Sequence, residues 1–303
     1  MERTTHVPVM LKEVLQMLNA DKGGEFLDCT LGGAGHTVAI LNANKKNIVV
    51  GVDRDSRAVI RAGRRLEEFS PRVKIVHSAF SHIREALEGH KFDGILLDLG
   101  LSTDQLKENR GFSFNDSSNL DMRMDESQEL TAYLVVNKTS ERELIKILKQ
   151  GGVGKEAAAA ARAIVKARPI NKTAELSRVI NRVLSSKGKA KKTNPATVVF
   201  QAIRMAVNDE INEIHGLLQD IPALIKEGGR LAVICFHSLE DQWVTRTMRD
   251  WSSRGSYPAL WRGKVKEKSL GKLLTRKALV PSAQEIKSNP ASRSARLRVF
   301  EFK

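Results

Sequence analysis

The sequence has no long apolar run and little cysteine, and each scarcity excludes a class of protein. No uninterrupted apolar stretch approaches the about 18 residues that a membrane-spanning helix needs. The N-terminal residues also lack the apolar segment of a secretory signal, so we expect a cytoplasmic protein. Cys29 and Cys235 lie in apolar runs typical of buried strands, which favours free thiols over a disulfide. Two isolated cysteines make a poor zinc site, and no metal is expected.

Acidic residues are also scarce relative to basic ones. The chain has 50 Lys and Arg against 35 Asp and Glu, a formal net charge of +15. Residues 251–298 hold 12 basic and 2 acidic residues, and a second basic cluster consists of Lys187, Lys189, Lys191 and Lys192. Such segments suit a nucleic acid, because each neutralised phosphate releases condensed counterions. A solvated charged tail is the alternative. A membrane surface is disfavoured, since no clean amphipathic stripe is present.

Short β-branched, apolar runs alternate with helical stretches in the first hundred residues. Strands are predicted at 25–30, 47–53, 73–78 and 92–100. An amphipathic helix over 6–22 precedes the first strand, and a helical stretch at 56–69 separates the second from the third. This alternation predicts a parallel sheet with helices on both faces.

The alternation stops between residues 104 and 225, where only loops and helices are predicted. The predicted helices lie at 130–136, 141–150, 155–167, 173–185 and 194–219. Strands return at 231–236 and 296–302. We therefore predict an α/β protein in which one Rossmann-like domain, residues 1–103 and 226–303, is interrupted by a helical insertion at 104–225.

Glycines and an acid follow the first two predicted strands. Gly32 and Gly35 lie directly after the first strand, where a glycine-rich turn lets the backbone approach a ligand closely. Asp53 ends the second strand, 18 residues after Gly35, where a carboxylate can accept hydrogen bonds from ribose hydroxyls. The third glycine of the dinucleotide pattern is replaced by Val38. This favours S-adenosylmethionine, which has no phosphate, over NAD, which stays an alternative.

Polar residues also follow the other predicted strands. Asp98 ends the fourth strand, and Ser102 and Gln105 add neutral hydrogen-bonding groups after it. His237 follows the late strand, where a functional and a structural role are both open. Phe80, after the third strand, suits either an adenine contact or the core. Because ligands bind beyond the carboxyl ends of parallel strands, these residues are candidates for one site.

Six strings of residues together match one family. They are GGAGH at 32–36, LLDLGLSTDQL at 96–106, RGFSFNDSSNLDMRMD at 110–125, NPATVVFQAIRMAVNDEI at 194–211, GGRLAVICFHSLED at 228–241 and NPASRSARLRV at 289–299. With them the chain resembles, over nearly its whole length, the RsmH/MraW family of bacterial small-subunit ribosomal RNA (cytosine-N4)-methyltransferases. The resemblance implies S-adenosylmethionine as cofactor and ribosomal RNA or the small subunit as partner. It also implies methyl transfer to the exocyclic amine of a cytosine in the decoding region, and we expect the helical insertion at 104–225 to recognise the substrate.

The resemblance also implies roles for individual residues. Cofactor contacts fall on Ala34, Gly35, His36, Asp53, Phe80, Asp98 and Gln105, to which the glycine turn adds Gly32. For methyl transfer we expect Asp98 and Ser102 to orient the target amine, with His237 and Ser238 assisting. Phe112 and Phe114 either stack on the unstacked base or anchor the insertion.

The chain departs from the family pattern mainly outside the cofactor positions. The departures lie at Val153, Asn194, Val198, Gln242 and the pair 118–119. They leave the target nucleotide open, so a paralogue that methylates another RNA is an alternative, as is a ribosome assembly factor without turnover. The sequence does not decide between a monomer and a homodimer.

Overall fold

A single mixed sheet of seven strands organises the chain. The computed structural model describes residues 7–114, 117–184, 194–253 and 268–303. The strands are β1 (Glu25–Asp28), β2 (Ile48–Asp53), β3 (Val73–His77), β4 (Phe92–Asp98), β5 (Ile225–Cys235), β6 (Gly271–Leu273) and β7 (Arg296–Phe302). Their order is β3-β2-β1-β4-β5-β7-β6. β1 to β5 pair in parallel, whereas β7 runs antiparallel to both β5 and β6.

The chain divides into two compact units. The sheet unit consists of Met1–Gly100 and Glu213–Lys303, and the helical unit consists of Leu101–Asn212. The helices that begin in the sheet unit are α1 (Leu11–Met17), α2 (Gly35–Ala43), α3 (Ser56–Leu66), α4 (Ile83–Ala86), α12 (Ser238–Ser253) and α13 (Ala283–Ser288). α11 (Glu210–Leu224) begins at the end of the helical unit and leads into β5. Short 3-10 turns lie at Ala20–Lys22, Glu67–Phe69, Phe80–His82 and Pro290–Ser294.

Alternating side chains of the central strands fill two separate apolar layers. In β4, Ile95 and Leu97 belong to one layer and Leu96 to the other. The first layer packs against α4, α11 and α12, and the second against α1, α2 and α3. Each fully buried aliphatic side chain contributes about 2 kcal/mol through the hydrophobic effect. A period of two in strands buried on both faces is the pattern of a parallel sheet covered by helices.

The helical unit has its own apolar core. Its helices are α5 (Thr103–Lys107), α6 (Ala132–Lys138), α7 (Glu141–Gln150), α8 (Ala157–Ala167), α9 (Thr173–Leu184) and α10 (Pro195–Val207), with a 3-10 turn at Gly154–Glu156. Side-chain caps fix several helix starts: Thr131, Ser140 and Asn194 each accept a hydrogen bond from a backbone N–H in the first turn. Leu144, Ile164 and Ile180 are among the residues buried between these helices.

Most predicted elements are confirmed, including the α/β class. The strand at 296–302 and the helix at 141–150 have the predicted bounds. The late strand is longer than predicted and begins at Ile225, because its first residues include the polar and glycine positions that periodicity analysis excludes. The amphipathic segment 6–22 forms a shorter helix, α1, followed by a 3-10 turn.

One predicted helix is wrong. Residues 194–219 form two helices, because α10 ends at Val207 and Asp209 adopts a left-handed backbone with φ of 48° before α11 begins. The side chain of Asn208 donates hydrogen bonds to the carbonyls of Arg204 and Met122 at this break. These contacts hold the end of α10 against a loop far away in sequence.

Other sequence expectations concern cysteines, membranes and charge. Both cysteines are buried free thiols, as predicted, and burial raises the pKa of each. Among the described helices, none combines the length and apolar character that crossing a bilayer requires. The lysine cluster at 187–192 and residues 254–267 of the basic C-terminal segment lie outside the described residues.

Candidate active site

Three carboxylates end neighbouring parallel strands of the sheet. Asp28, Asp53 and Asp98 are the last residues of β1, β2 and β4. β1 pairs with both of the other strands, so the three carboxyl ends lie side by side at one edge of the sheet. The chain leaves β1 through a turn in which Gly32 and Ala34 have φ of 48° and 59°, before α2 begins. This is the edge where open α/β sheets bind ligands.

Asp53 joins the turn after β1 to the end of β2. Its carboxylate accepts hydrogen bonds from the backbone N–H of Gly32 at 2.7 Å and of Asp55 at 2.8 Å. Burial raises the pKa of Asp53 to about 6, although these two hydrogen bonds oppose the shift. Each carboxylate oxygen has two lone pairs, so one further acceptor position per oxygen stays open to a ligand hydroxyl.

Asp28 is a residue that the sequence analysis missed. It is almost fully buried, accepts a hydrogen bond from the Thr37 hydroxyl at 2.7 Å and accepts another from the Thr30 backbone N–H at 3.1 Å. Burial raises its pKa, against the effect of these hydrogen bonds. Asp28 therefore fixes the turn to α2 from inside. The rule that selected Asp98, an acid that ends an apolar strand, applies equally to Asp28 and would have found it.

Asp98 faces a buried histidine. Its Oδ2 lies 3.5 Å from His36 Nδ1, and the other ring nitrogen, Nε2, lies 3.0 Å from the Val9 carbonyl oxygen. Because a carbonyl only accepts, Nε2 carries the ring proton and Nδ1 presents a lone pair to Asp98. Burial lowers the pKa of His36 to about 4, so the ring is neutral near pH 7. Burial raises the pKa of Asp98 well above its usual value, and the charges of Asp28 and Glu240 add to this.

One atom of Asp98 has no partner of its own. Oδ1 is buried and makes no hydrogen bond within the part of the chain that the structure describes. The backbone N–H of Asp98 donates to the Thr30 hydroxyl at 2.7 Å, which fixes the strand end. A buried acceptor without a donor is rare in folded proteins, because it loses the hydrogen bonds that water provides. Oδ1 is therefore a candidate ligand-binding atom.

The structure gives the predicted glycine positions different roles. Gly32 takes up the left-handed conformation and donates to Asp53, in agreement with a ligand-binding turn. Gly35 is the first residue of α2, where an added Cβ would overlap the Pro8 ring. Gly35 is thus required for packing, and its predicted cofactor contact stays a prediction. Ala34 is fully buried and precedes α2.

His237 and Ser238 lie where β5 ends and α12 begins. Glu240 accepts hydrogen bonds from the backbone N–H of Phe236 at 2.8 Å and of His237 at 3.2 Å. The His237 Nδ1 accepts from the Glu240 backbone N–H at 3.4 Å, and its Nε2 lies 2.8 Å from Glu240 Oε1. Both ring nitrogens thus face Glu240, which suits a positioning role for His237. Ser238, in contrast, is exposed.

An aspartate with two arginines attaches this segment to β7. Asp241 accepts hydrogen bonds from Arg298 at 2.7 and 3.0 Å and from Arg296 at 3.1 Å. Burial would raise the pKa of Asp241, but the hydrogen bonds and charges of the two arginines lower it. From the sequence these arginines are predicted to lie in a basic segment and in the last strand, but their contact with Asp241 is not, because this common partner lies 55 residues or more away.

Phe80 lies in the 3-10 turn after β3, at the same edge of the sheet. Its half-buried ring packs against the apolar layer that also contains α11 and α12. Glu213 of α11 accepts a hydrogen bond from the backbone N–H of the next residue, Ser81, at 3.0 Å. These contacts hold the turn in place and leave part of the ring accessible. The adenine contact predicted for Phe80 stays a prediction.

Ser102 and Gln105 belong to the helical unit and form the cap of α5. The Ser102 hydroxyl accepts from the Gln105 backbone N–H at 3.2 Å, and the Gln105 side chain accepts from the Ser102 backbone N–H at 2.9 Å. This reciprocal capping box fixes the start of the helix. Their predicted contacts with donor and substrate stay predictions.

Phe112 and Phe114 also lie in the helical unit. Phe112 is buried in its core, with the Arg110 guanidinium 5.5 Å from the ring centroid. Phe114 packs edge-on against Phe200, with ring centroids 5.5 Å apart. These contacts favour a structural role inside this unit over stacking on a base.

Comparison with known proteins assigns the family. The model of the MraW methylase family matches residues 3–303. A protein of Clostridioides difficile is 43% identical, over 98% of both chains, and one of Nitratiruptor is 40% identical, also over 98% of both. A Cyanothece protein is 41% identical over 98% of this chain and 94% of its own. All three are named ribosomal RNA small subunit methyltransferase H. The chain therefore belongs to the MraW methylase family, which confirms the predicted methyltransferase.

Proposed function

We propose that this protein transfers a methyl group from S-adenosylmethionine to the N4 amine of a cytosine in small-subunit ribosomal RNA. The observation that carries the proposal is the buried, unpartnered Oδ1 of Asp98 beside the glycine turn and Asp53. Family membership and the names of the relatives support the reaction and the type of RNA. The choice of cytosine N4 rests on the sequence resemblance.

The residues at the sheet edge fit S-adenosylmethionine. Asp53 would accept hydrogen bonds from the ribose hydroxyls, since its oxygens keep open acceptor positions, and Phe80 would lie against the adenine. The turn through Gly32 and Ala34 brings the backbone close to the ligand. When bound, the donor supplies an electrophilic methyl group on a sulfonium. No phosphate has to be accommodated, in keeping with a turn that lacks the third glycine of dinucleotide sites.

Asp98 would orient an amine at the reacting centre. The lone pair of an exocyclic cytosine amine is delocalised into the ring, so an acceptor that holds its N–H groups in line with the methyl group supplies much of the rate. Oδ1 is such an acceptor, while Oδ2 faces His36 Nδ1. A proton on Oδ2, directed at the lone pair of Nδ1, would keep this pair neutral and leave Oδ1 free to accept, and the proton that the amine loses on methylation would then pass to water. Ser102 and Ser238 are the proposed additional contacts to the amine.

The RNA has to present its target base out of the helical stack, as for other enzymes that act on bases. We expect the helical unit to take part in substrate recognition, as the resemblance implies. A diverged RNA substrate and an assembly factor without turnover are the alternatives. The unpartnered Oδ1 of Asp98 and the open acceptor positions of Asp53 argue against the second, because desolvated acids directed at a ligand site are costly for a protein that only binds RNA.

Transfer of labelled methyl groups tests the proposal. Wild-type protein, labelled S-adenosylmethionine and small subunits that lack the modification should give N4-methylcytidine on nucleoside analysis. Asp98→Ala should reduce the rate by 100-fold or more, since it removes the orienting acceptor. Asp93→Asn changes a carboxylate near the other end of β4 and is the matched control with an unchanged rate. No incorporation by the wild type despite donor binding would contradict the ribosomal substrate, whereas activity of Asp98→Ala would contradict only the role of Asp98.

A further inference from the structure

α12 carries an exposed tryptophan on the surface of the sheet unit. Trp243 is 38% exposed, whereas its helix neighbours Val244 and Thr245 are buried. Its ring meets the exposed His215 of α11 edge to face, with centroids 5.5 Å apart and planes at 72°. Tryptophan buries more apolar surface than any other side chain when it packs, so leaving it in water is costly. The groups around Trp243 decide whether its accessible ring can serve a partner.

This tryptophan lies near the edge of the sheet that carries the candidate active site. α12 begins at Ser238, directly after β5, and Trp243 is five residues further, about 7 Å along the helix axis. α11 runs toward the start of β5, so His215, near the beginning of α11, is also close to this edge. The face is thus on the same side of the sheet as Phe80, whose turn is held by α11 through Glu213.

Two exposed arginines follow Trp243 on α12. Arg246 and Arg249 are exposed on α12 and form no ion pair within the described residues. The carboxylates of the first turn are engaged, Glu240 by backbone N–H groups and Asp241 by two arginines.

The remaining carboxylates near this surface are few. On α11, Glu213 accepts from Ser81 and Asp220 lies 3.5 Å from Arg84. Asp250, in the last turn of α12, is an exposed acid four residues after Arg246 and seven after Trp243, so it lies on the same stripe of the helix. The exposed polar neighbours of Trp243 are Gln242 and Gln219, so the tryptophan is a single aromatic ring among polar and basic groups. It is not part of an apolar patch such as a protein interface would have.

We propose that Trp243, His215 and Arg246, the Trp243 face, bind a single-stranded segment of the substrate RNA next to the target base. Trp243 stacks on an unpaired base, and Arg246, one turn further along α12, contacts a phosphate. An accessible aromatic ring beside an exposed guanidinium group is the chemistry that recognises single-stranded RNA. This inference rests on the proposed RNA substrate and extends the binding surface beyond the reacting centre.

Tryptophan fluorescence tests the stacking directly. In the full-length Trp261→Phe variant the remaining tryptophans are Trp243 and Trp251, and Trp251 is only 3% exposed and packs against Phe300 and Phe302. A single-stranded oligoribonucleotide should quench this fluorescence. An abasic oligomer with the same number of phosphates should bind through charge but leave it unchanged. Equal quenching by both oligomers, or none by either, would overturn the proposal.

Substitutions separate stacking from charge and from folding. Trp243→Ala should bind the oligoribonucleotide about 10-fold more weakly and the abasic oligomer as the wild type does. Ile60→Ala removes an exposed apolar side chain, 57% exposed, from α3 of the sheet unit and should leave binding unchanged. Arg246→Ala should weaken binding of both oligomers and reduce the slope of its salt dependence by about 0.7. If Trp243→Ala binds the oligoribonucleotide as tightly as the wild type does, RNA binding at the Trp243 face is refuted.

Failure of this inference is distinguishable from failure of the proposed function. Oligonucleotide binding is measured without methyl transfer, and the donor affinity of Trp243→Ala should equal that of the wild type. If the oligoribonucleotide does not quench Trp243 while methyl transfer is intact, only RNA binding at the Trp243 face is refuted. Quenching that depends on protein concentration in the absence of RNA would identify a second copy of the chain as the partner and overturn the RNA assignment.

Discussion

The three aspartates at the sheet edge differ in their hydrogen-bond partners, and these partners indicate a different role for each. Asp28 accepts from Thr30 and Thr37 and serves the turn after β1. Asp53 uses part of its capacity on backbone N–H groups and keeps open positions toward a ligand. Of these three aspartates, as far as the structure describes the chain, Asp98 is the one that has a buried oxygen without a donor. Desolvation of this kind is costly, so a fold keeps such groups where they bind or react.

The raised pKa of Asp53 predicts a pH dependence of donor binding. A ribose hydroxyl binds the carboxylate better than the neutral acid, so the affinity for S-adenosylmethionine should increase as pH rises from 5 to 7, with a midpoint near the pKa of about 6. Asp53→Asn should bind about 10-fold more weakly at pH 7 and lose this dependence. Calorimetric titration across this range measures both. A slope that persists in Asp53→Asn would assign the titration to another group.

The raised pKa of Asp53 has the opposite effect on the stability of the fold. Because the folded protein binds a proton at Asp53 more tightly than the unfolded chain does, this residue lowers stability as pH rises from about 4 to about 6. The pH range that improves donor binding is thus the range in which Asp53 costs stability. This relation is expected for a residue retained for function.

Site residues at strand ends could be predicted from the sequence, because an apolar run that stops at an acid marks the end of a strand. Asp53 and Asp98 follow from apolar runs that end in an acid. The unpartnered Oδ1 did not follow, nor did the contact of His36 with Asp98, because their side chains come from different elements and meet only in the folded sheet. Asp241 was missed for the same reason, since its arginine partners lie on β7.

At the scale of elements, local sequence signals predict where a helix begins more accurately than where it ends. The caps at Ser140 and Asn194 are visible in the sequence, and the latter is followed by proline at the first helical position. The break between α10 and α11 has no comparable signal. Its cause is Asn208, whose partners Met122 and Met124 are more than 80 residues away. Helical periodicity continues through the break, so a pattern alone predicts one helix.

Asn208 should therefore be a stability determinant of the helical unit. Its side chain accepts from the Met124 backbone N–H at 2.7 Å and donates to the carbonyls of Met122 at 2.7 Å and Arg204 at 2.9 Å. Asn208→Ala should lower the free energy of unfolding by about 3 kcal/mol, since it leaves buried backbone groups without partners. Urea denaturation measures the change.

An asparagine close to the same break provides the control. The side chain of Asn212 is exposed and, among the described residues, donates only to Asp209, at 2.8 Å. Asn212→Ala should change the free energy of unfolding by less than about 0.5 kcal/mol. Equal effects of the two substitutions would mean that helix propensity, rather than the buried hydrogen bonds of Asn208, determines the stability of this region.

At the scale of the molecule, composition and motif carry different information. The net charge of +15 indicates a polyanionic partner but no reaction. The alternation of strands and helices indicates the sheet and the edge where a ligand binds, and the six motif strings indicate the family. Neither reveals the exposed Trp243, because exposure depends on how α11 and α12 pack on the sheet.

Because different residues bind the donor and the RNA, we expect the two affinities to respond differently to salt and to substitution. RNA binding through arginines and lysines should weaken linearly in log K against log salt, whereas donor binding, with Asp53 and a buried turn, should change little. Asp53→Ala should weaken donor binding by 10-fold or more and leave RNA affinity and its salt slope unchanged. Filter binding of RNA and calorimetry of the donor, at two salt concentrations, measure both. A parallel loss of RNA binding in Asp53→Ala would mean that the donor site and the RNA surface form one coupled unit. Donor affinity would then have to be treated as part of substrate recognition.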